Sequence, residues 1–259
     1  MKRYISFALS ALVLAGTLVA PAGAQQAKNN DFRLAMSATF QRMIQSYHQG
    51  ERSPLSGDIL DSSRPNVAQF FGRRTDASVE HGPHSPDQSI ALHYYRDAVL
   101  DGKRTAACLM TFDTSNPAFL AGYESTGLFT KGEITYYLAA HEFGHCAALH
   151  QASLGNMLSI KPGKDQELFA DQYALAFFLL QDKINTAKKI IIFNRQNVAK
   201  DDFHHHPDEL QAFFDAFPPL DDSLRANVKN TYDLVALTIN VAAKAQIHLL
   251  AKAQQVAND

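Results

Sequence analysis

The chain has 259 residues, with 24 basic and 26 acidic side chains and a net charge of −2. That balance leaves no basic footprint for nucleic acid and no cationic surface for an anionic membrane. Tryptophan is absent and there are 17 phenylalanines, so Phe and Leu are expected to carry the core.

The N-terminus has the three parts of a secretory signal. Lys2 and Arg3 are the basic start, Ile5 to Ala20 is an apolar stretch short for a membrane span, and Ala22-Gly23-Ala24 is a small-residue cleavage site. Cleavage there gives a mature chain from Gln25, with no cysteine at the site to take a lipid. A periplasmic or secreted location follows as an expectation, with no stable membrane insertion of the mature chain. Removing residues 1–24 takes two cations away, which moves the net charge to −4. Residues 25–259 suit a single domain with an ample core.

Residues 30–49 read as a helix, because Phe32, Met36, Phe40, Met43, Ile44 and Tyr47 recur at helical spacing, with Asn30 or Asp31 as cap. Residues 50–88 are rich in Ser, Pro, Gly, Arg and Asp and read as irregular, with Phe70-Phe71 as an anchor and His81 and His84 as solvated loop histidines. Ser85-Pro86-Asp87-Gln88 resembles a helix start, so Ile90–Leu100 is expected to be helical; a hairpin through Asp101-Gly102 is the competing reading. Ala106–Phe112 is the clearest strand, and 116–131 reads as loop. Helices are expected at Ile134–Leu149, from an Asp165 cap to about Asp182, and at Lys183–Asn197. Residues 202–207 read as loop, and Ser223–Ala253 as a long helical stretch, whole or broken in two, within a helical extension over 202–259. The fold class is α+β, predominantly helical.

His141-Glu142-Phe143-Gly144-His145 lies within one of these helices. Histidines four apart share a helix face, so both imidazoles reach one metal ion, and the intervening Glu142 is placed to take a proton from water. A catalytic zinc usually has three protein ligands and an open position. Glu167-Leu168-Phe169-Ala170-Asp171 supplies a candidate third ligand, Glu167, and one turn later Asp171, which accepts a hydrogen bond from the free N–H of a ligating histidine. Gly144 leaves room for another backbone beside the first helix. Glycine at 148 and histidine at 151, which a metzincin needs, are replaced by Ala148 and Gln151, and His150 reads as a polar residue near the helix end.

HExxH followed by ExxAD resembles the gluzincin metallopeptidases, in particular the soluble periplasmic relatives of the HtpX-type and CAAX-processing proteases. The likeness spans about residues 134–182. It implies a zincin-like core with a short sheet beside the HExxH helix and a helical C-terminal part. It also implies one Zn²⁺ on His141, His145 and Glu167, with Asp171 behind a ligand. Some members of the group carry a later His-Pro step whose histidine donates to a developing oxyanion; His206-Pro207 is the counterpart here, although Arg225 lies far from it. The resemblance also sets a strand next to the HExxH helix, which leaves two alternatives for Cys108 and Cys146: a disulfide, or two buried thiols.

The functional expectation is a secreted zinc-dependent endopeptidase acting on a polypeptide substrate, with Glu142 as general base, a substrate strand pairing along Ala106–Phe112, and an open oligomeric state. The competing expectation is an envelope zinc-containing binding or chaperone-like module without turnover. A helical protein with accidental motifs is the third reading and implies no stoichiometric metal.

Overall fold

The structure, a computed structural model, describes residues 22–48, 55–61, 90–100, 103–114, 116, 118–156 and 163–258. The expected signal segment up to residue 21 lies outside the described residues, as do Phe70, Phe71, His81, His84 and the Ser85 helix start.

The elements in chain order are α1 (Ala22–Tyr47), β1 (Leu55–Asp61), β2 (Ile90–Leu100), β3 (Lys103–Phe112), α2 (Ala118–Ser125), α3 (Lys131–Ser153), α4 (Lys164–Leu180), α5 (Ile184–Asn197), α6 (Pro207–Ala216), α7 (Asp222–Asn227) and α8 (Thr231–Asn258). The fold is α+β and mostly helical, with a three-stranded sheet ordered β1-β3-β2. β1 runs parallel to β3 and β2 antiparallel.

Helix α1 begins earlier than its expected cap. Ala22, Ala24, Gln25, Gln26, Ala27 and Lys28 are good helix formers that extend it through Gly23, which puts Asn30 and Asp31 inside the helix, and buried Asn29 donates its amide to the carbonyls of Thr114 and Asn116 at 3.0 and 2.9 Å. The six apolar residues read at helical spacing are all in the core.

Three segments differ from expectation. Ile90–Leu100 is a strand, not a helix: it pairs with β3 from Ile90↔Phe112 to Leu100↔Lys103, and Leu92 and Tyr94 alternate into the core. Strand pairing with the strongest strand of the chain overrides the local helix-start signal. The ladder reaches Leu100↔Lys103, the antiparallel pairing that the hairpin reading implied; Asp101 and Gly102 lie outside the described residues. Within 50–88, Leu55–Asp61 is an ordered strand, because Leu55 and Ile59 fill the core. Within 116–131, Ala118–Ser125 is helical, held by buried Leu120 and stopped at Gly127, whose φ is +63°.

β3 is also central, with β1 on one side and β2 on the other, so it offers no free edge to a substrate strand. Its role is internal: Cys108 forms a disulfide to Cys146 of α3, with a Cα–Cα distance of 5.7 Å. This settles the pairing in favour of the covalent link and fixes the sheet against the helix bearing both motif histidines.

Helix α3 has a complete capping box. Thr130 N–H donates to Glu133 Oε2 at 2.8 Å and Glu133 N–H to Thr130 Oγ1 at 3.2 Å. Glu133 also receives Thr186 Oγ1 at 2.7 Å and Lys189 Nζ at 2.9 Å, so the same residue ties α5 to the start of α3. The C-terminal helices are packed into the main core through Leu210, Phe213, Leu234, Val235, Val241 and Ala245. The stretch Thr231–Gln255 of α8 is long and apolar enough to cross a membrane, and its inner face belongs to that core.

Candidate metal centre

Helices α3 and α4 lie against each other with Gly144 at the crossing. A Cβ added there would sit 2.8 Å from Ala170 Cα and 3.2 Å from Ala170 O, well inside van der Waals contact. The missing side chain therefore lets the turn carrying His141 and His145 meet the turn carrying Glu167 and Asp171, as the sequence led us to expect.

The expected cap for α4 is displaced. Gly163, at φ +98°, precedes the helix without a side-chain cap, and its carbonyl accepts from the N–H groups of Gln166 and Glu167 at 3.0 and 3.2 Å. Asp165 is instead an exposed residue of the first turn, where its charge and that of Glu167 face the positive end of the helix dipole.

His141 Nε2, His145 Nε2 and Glu167 Oε2 converge. The two nitrogens are 3.1 Å apart, and Glu167 Oε2 is 3.1 Å from His141 Nε2 and 3.3 Å from His145 Nε2. A tetrahedral zinc with bonds of about 2.0–2.1 Å has ligand–ligand edges of about 3.3–3.4 Å. The three residues therefore form a group able to hold a metal ion. His141 Nδ1–H donates to Asp171 Oδ1 at 2.7 Å, which turns the Nε2 lone pair towards the other two ligand atoms. Three electron-pair donors pointed at one another repel unless a metal ion or a proton lies among them.

Asp171 is the hub behind this face. Its Oδ1 also accepts from the Tyr137 hydroxyl at 2.8 Å, and its Oδ2 accepts from His206 Nε2–H at 2.8 Å. Burial raises its pKa, and the neighbouring His141 and His206 outweigh that and hold the carboxyl well below the usual range. Burial opposes a charge on His141, but Asp171, then Glu167 and Glu142, hold its pKa well above the ordinary histidine value. Glu142 is buried on the same helix, and burial pushes its carboxyl up against the opposing pull of His141 and His145.

Aromatic side chains wall the centre. Phe129 stacks on Tyr137 at 5.8 Å, and Tyr123 of α2 stacks on Phe193 at 5.0 Å. Burial raises the Tyr123 pKa, and the charges of Asp171, Glu142 and Glu167 add to it, so α2, in the segment read as loop, borders the site.

His206 stands elsewhere than the His-Pro comparison implies. Its side chain is fully buried and its Nε2 is committed to Asp171, so it backs the site and presents no donor to an oxyanion. His150 is likewise away from the ligand atoms: buried, it is bonded through Nδ1 to the Tyr47 hydroxyl at 3.0 Å. The histidine at the rim is His204. Its half-exposed ring places Nε2 3.3 Å from Glu167 Oε2, and its Nδ1 is 2.7 Å from Asp202 Oδ1. Reading residues 202–207 as plain loop missed this pair. The available signal was Asp-x-His spacing, which lets one carboxylate meet both the backbone N–H, at 2.8 Å, and the ring of the same histidine.

Comparison of the chain with models of protein families, with curated proteins and with solved structures finds no match.

Proposed function

We propose that the protein is a zinc-dependent endopeptidase of the gluzincin kind, exported to the periplasm or secreted. The observation that carries the reading is the convergence of His141, His145 and Glu167 at 3.1–3.3 Å, close to tetrahedral edge lengths, beside the buried Glu142. Zinc held by these three would supply a Lewis acid that brings the pKa of a coordinated water towards about 7 and polarises a peptide carbonyl. Glu142 then takes a water proton on its carboxylate and returns it to the leaving amine. Its burial favours this exchange, because a carboxyl pushed above its usual range is a stronger base towards the water proton. Asp171 keeps His141 in one tautomer through both halves of that cycle.

The test is elemental analysis of purified wild type, His145→Ala and Glu142→Gln, with a peptide-cleavage assay on each. One zinc per chain in wild type and Glu142→Gln, none in His145→Ala, and cleavage by wild type alone are the expected results. Cleavage by Glu142→Gln at the wild-type rate would exclude the mechanism. Zinc without cleavage of any peptide would favour the envelope binding-module reading.

A further inference from the structure

We propose that the turn from Asp202 to His206 is a clamp that positions the metal centre from outside the ligand set, and that Asn194 of α5 is its lock. This rests on the metal-centre reading above. Two histidines two residues apart on this turn address two acids one helical turn apart on α4. His204 Nε2 lies 3.3 Å from Oε2 of Glu167, the third ligand. His206 Nε2 lies 2.8 Å from Oδ2 of Asp171, the acid that orients His141. A single short segment thus bears on two of the three candidate ligands, one directly and one through Asp171.

The turn is itself held at both histidines by one side chain. Asn194 Nδ2 donates to the His204 carbonyl at 2.6 Å, and Asn194 Oδ1 accepts from the His206 N–H at 2.8 Å. Asn194 is buried, and these two side-chain bonds go to the turn, not to a ligand. A second brace sets the ring of His204: Asp202 Oδ1 meets its Nδ1 at 2.7 Å and its backbone N–H at 2.8 Å. Behind His206, Pro207 opens α6 with its φ already helical, so the turn ends against a fixed element. His206 Nδ1 is buried with no partner among the described residues, so the Asp171 contact is the ring bond that holds this imidazole there.

Carboxylate oxygens compete for a metal, and a ligand carboxylate free to rotate binds less well than one held by an outer partner. His204 and His206 are positioning residues in this scheme.

The experiment measures Zn²⁺ affinity, by competition with a chelating dye, on the full chain carrying Asn194→Ala, His204→Ala, His204→Gln or His206→Ala, together with the absorption spectrum of the Co²⁺-loaded proteins. We expect Asn194→Ala, His204→Ala and His206→Ala to bind Zn²⁺ about 10–100-fold more weakly, with altered Co²⁺ bands. His204→Gln, whose amide nitrogen reaches the place of Nε2, is expected to recover part of that loss, which a purely structural role for the ring would not produce. Because Asn194→Ala removes buried hydrogen bonds, circular dichroism establishes that it is folded; where it is not, the two variants of the half-exposed His204 decide. Wild-type affinity and an unchanged Co²⁺ spectrum in folded His204→Ala and Asn194→Ala overturn the clamp while leaving the metal centre intact. Failure of wild type itself to take up Zn²⁺ overturns both.

Discussion

Gly144 and Ala170 touch: the α-hydrogen side of one faces the backbone of the other so closely that a methyl on Gly144 would stand 2.8 Å from Ala170 Cα. The neighbour is backbone, so relief requires one helix to move. Gly144→Ala gains helix propensity of about 1 kcal/mol, and the clash reverses it. We expect net destabilisation of about 1–3 kcal/mol in urea unfolding, and weaker zinc binding as α4 is pushed away. Stability equal to or above wild type would show that the crossing tolerates separation.

Asp171 accepts three hydrogen bonds inside the protein, from His141, Tyr137 and His206. Asp171→Asn keeps the shape but puts an amide donor among these donors. Zinc affinity is expected to fall about 10–100-fold. Titration with a chelator measures it, and an affinity equal to wild type would remove Asp171 from the support of His141.

Glu133 has a pH signature separable from the metal centre. Burial raises its pKa, but Lys189, the Thr130 backbone and Thr186 outweigh that and bring it from 4.5 down to about 2. The folded value lies below the unfolded one, so its contribution is complete above about pH 4.5 and disappears as the pH falls towards 2. Glu133→Gln should therefore cost about 1–2 kcal/mol at neutral pH, in line with a lost cap and ion pair. Thermal melts of both proteins in EDTA should converge on going from pH 6 to pH 3. A gap that stays constant over that range would refute the assignment.

The Cys108–Cys146 disulfide closes a separation of 38 residues. A loop of that size is worth about 3–4 kcal/mol. Denaturant unfolding with and without reductant should show a loss of that order, and Cys108→Ser should reproduce it. Zinc released in parallel with reduction would show that the covalent link also holds α3 in place for the ligands.

The group able to hold a metal, the aspartate bonded to His141 and the helices that carry them were legible in the residues alone, because helical spacing places i and i+4 on one face whatever the rest of the chain does. The core side of α1, the strand at Ala106–Phe112, the helical C-terminal stretch and the need for glycine at 144 followed from the same local periodicity and sterics. Tertiary structure decided what local signals cannot. Ile90–Leu100 is a strand because β3 is available to pair with it, and β3 is central because β1, within a stretch that reads as irregular, covers its other edge. The histidine cluster shows the limit most clearly. Three adjacent histidines are equivalent on paper. Only the Asn194 bonds and the docking of the turn on α4 send His206 inward to Asp171 and leave His204 beside Glu167. Contacts over 10 to 37 residues in sequence set that choice, and no periodicity encodes it.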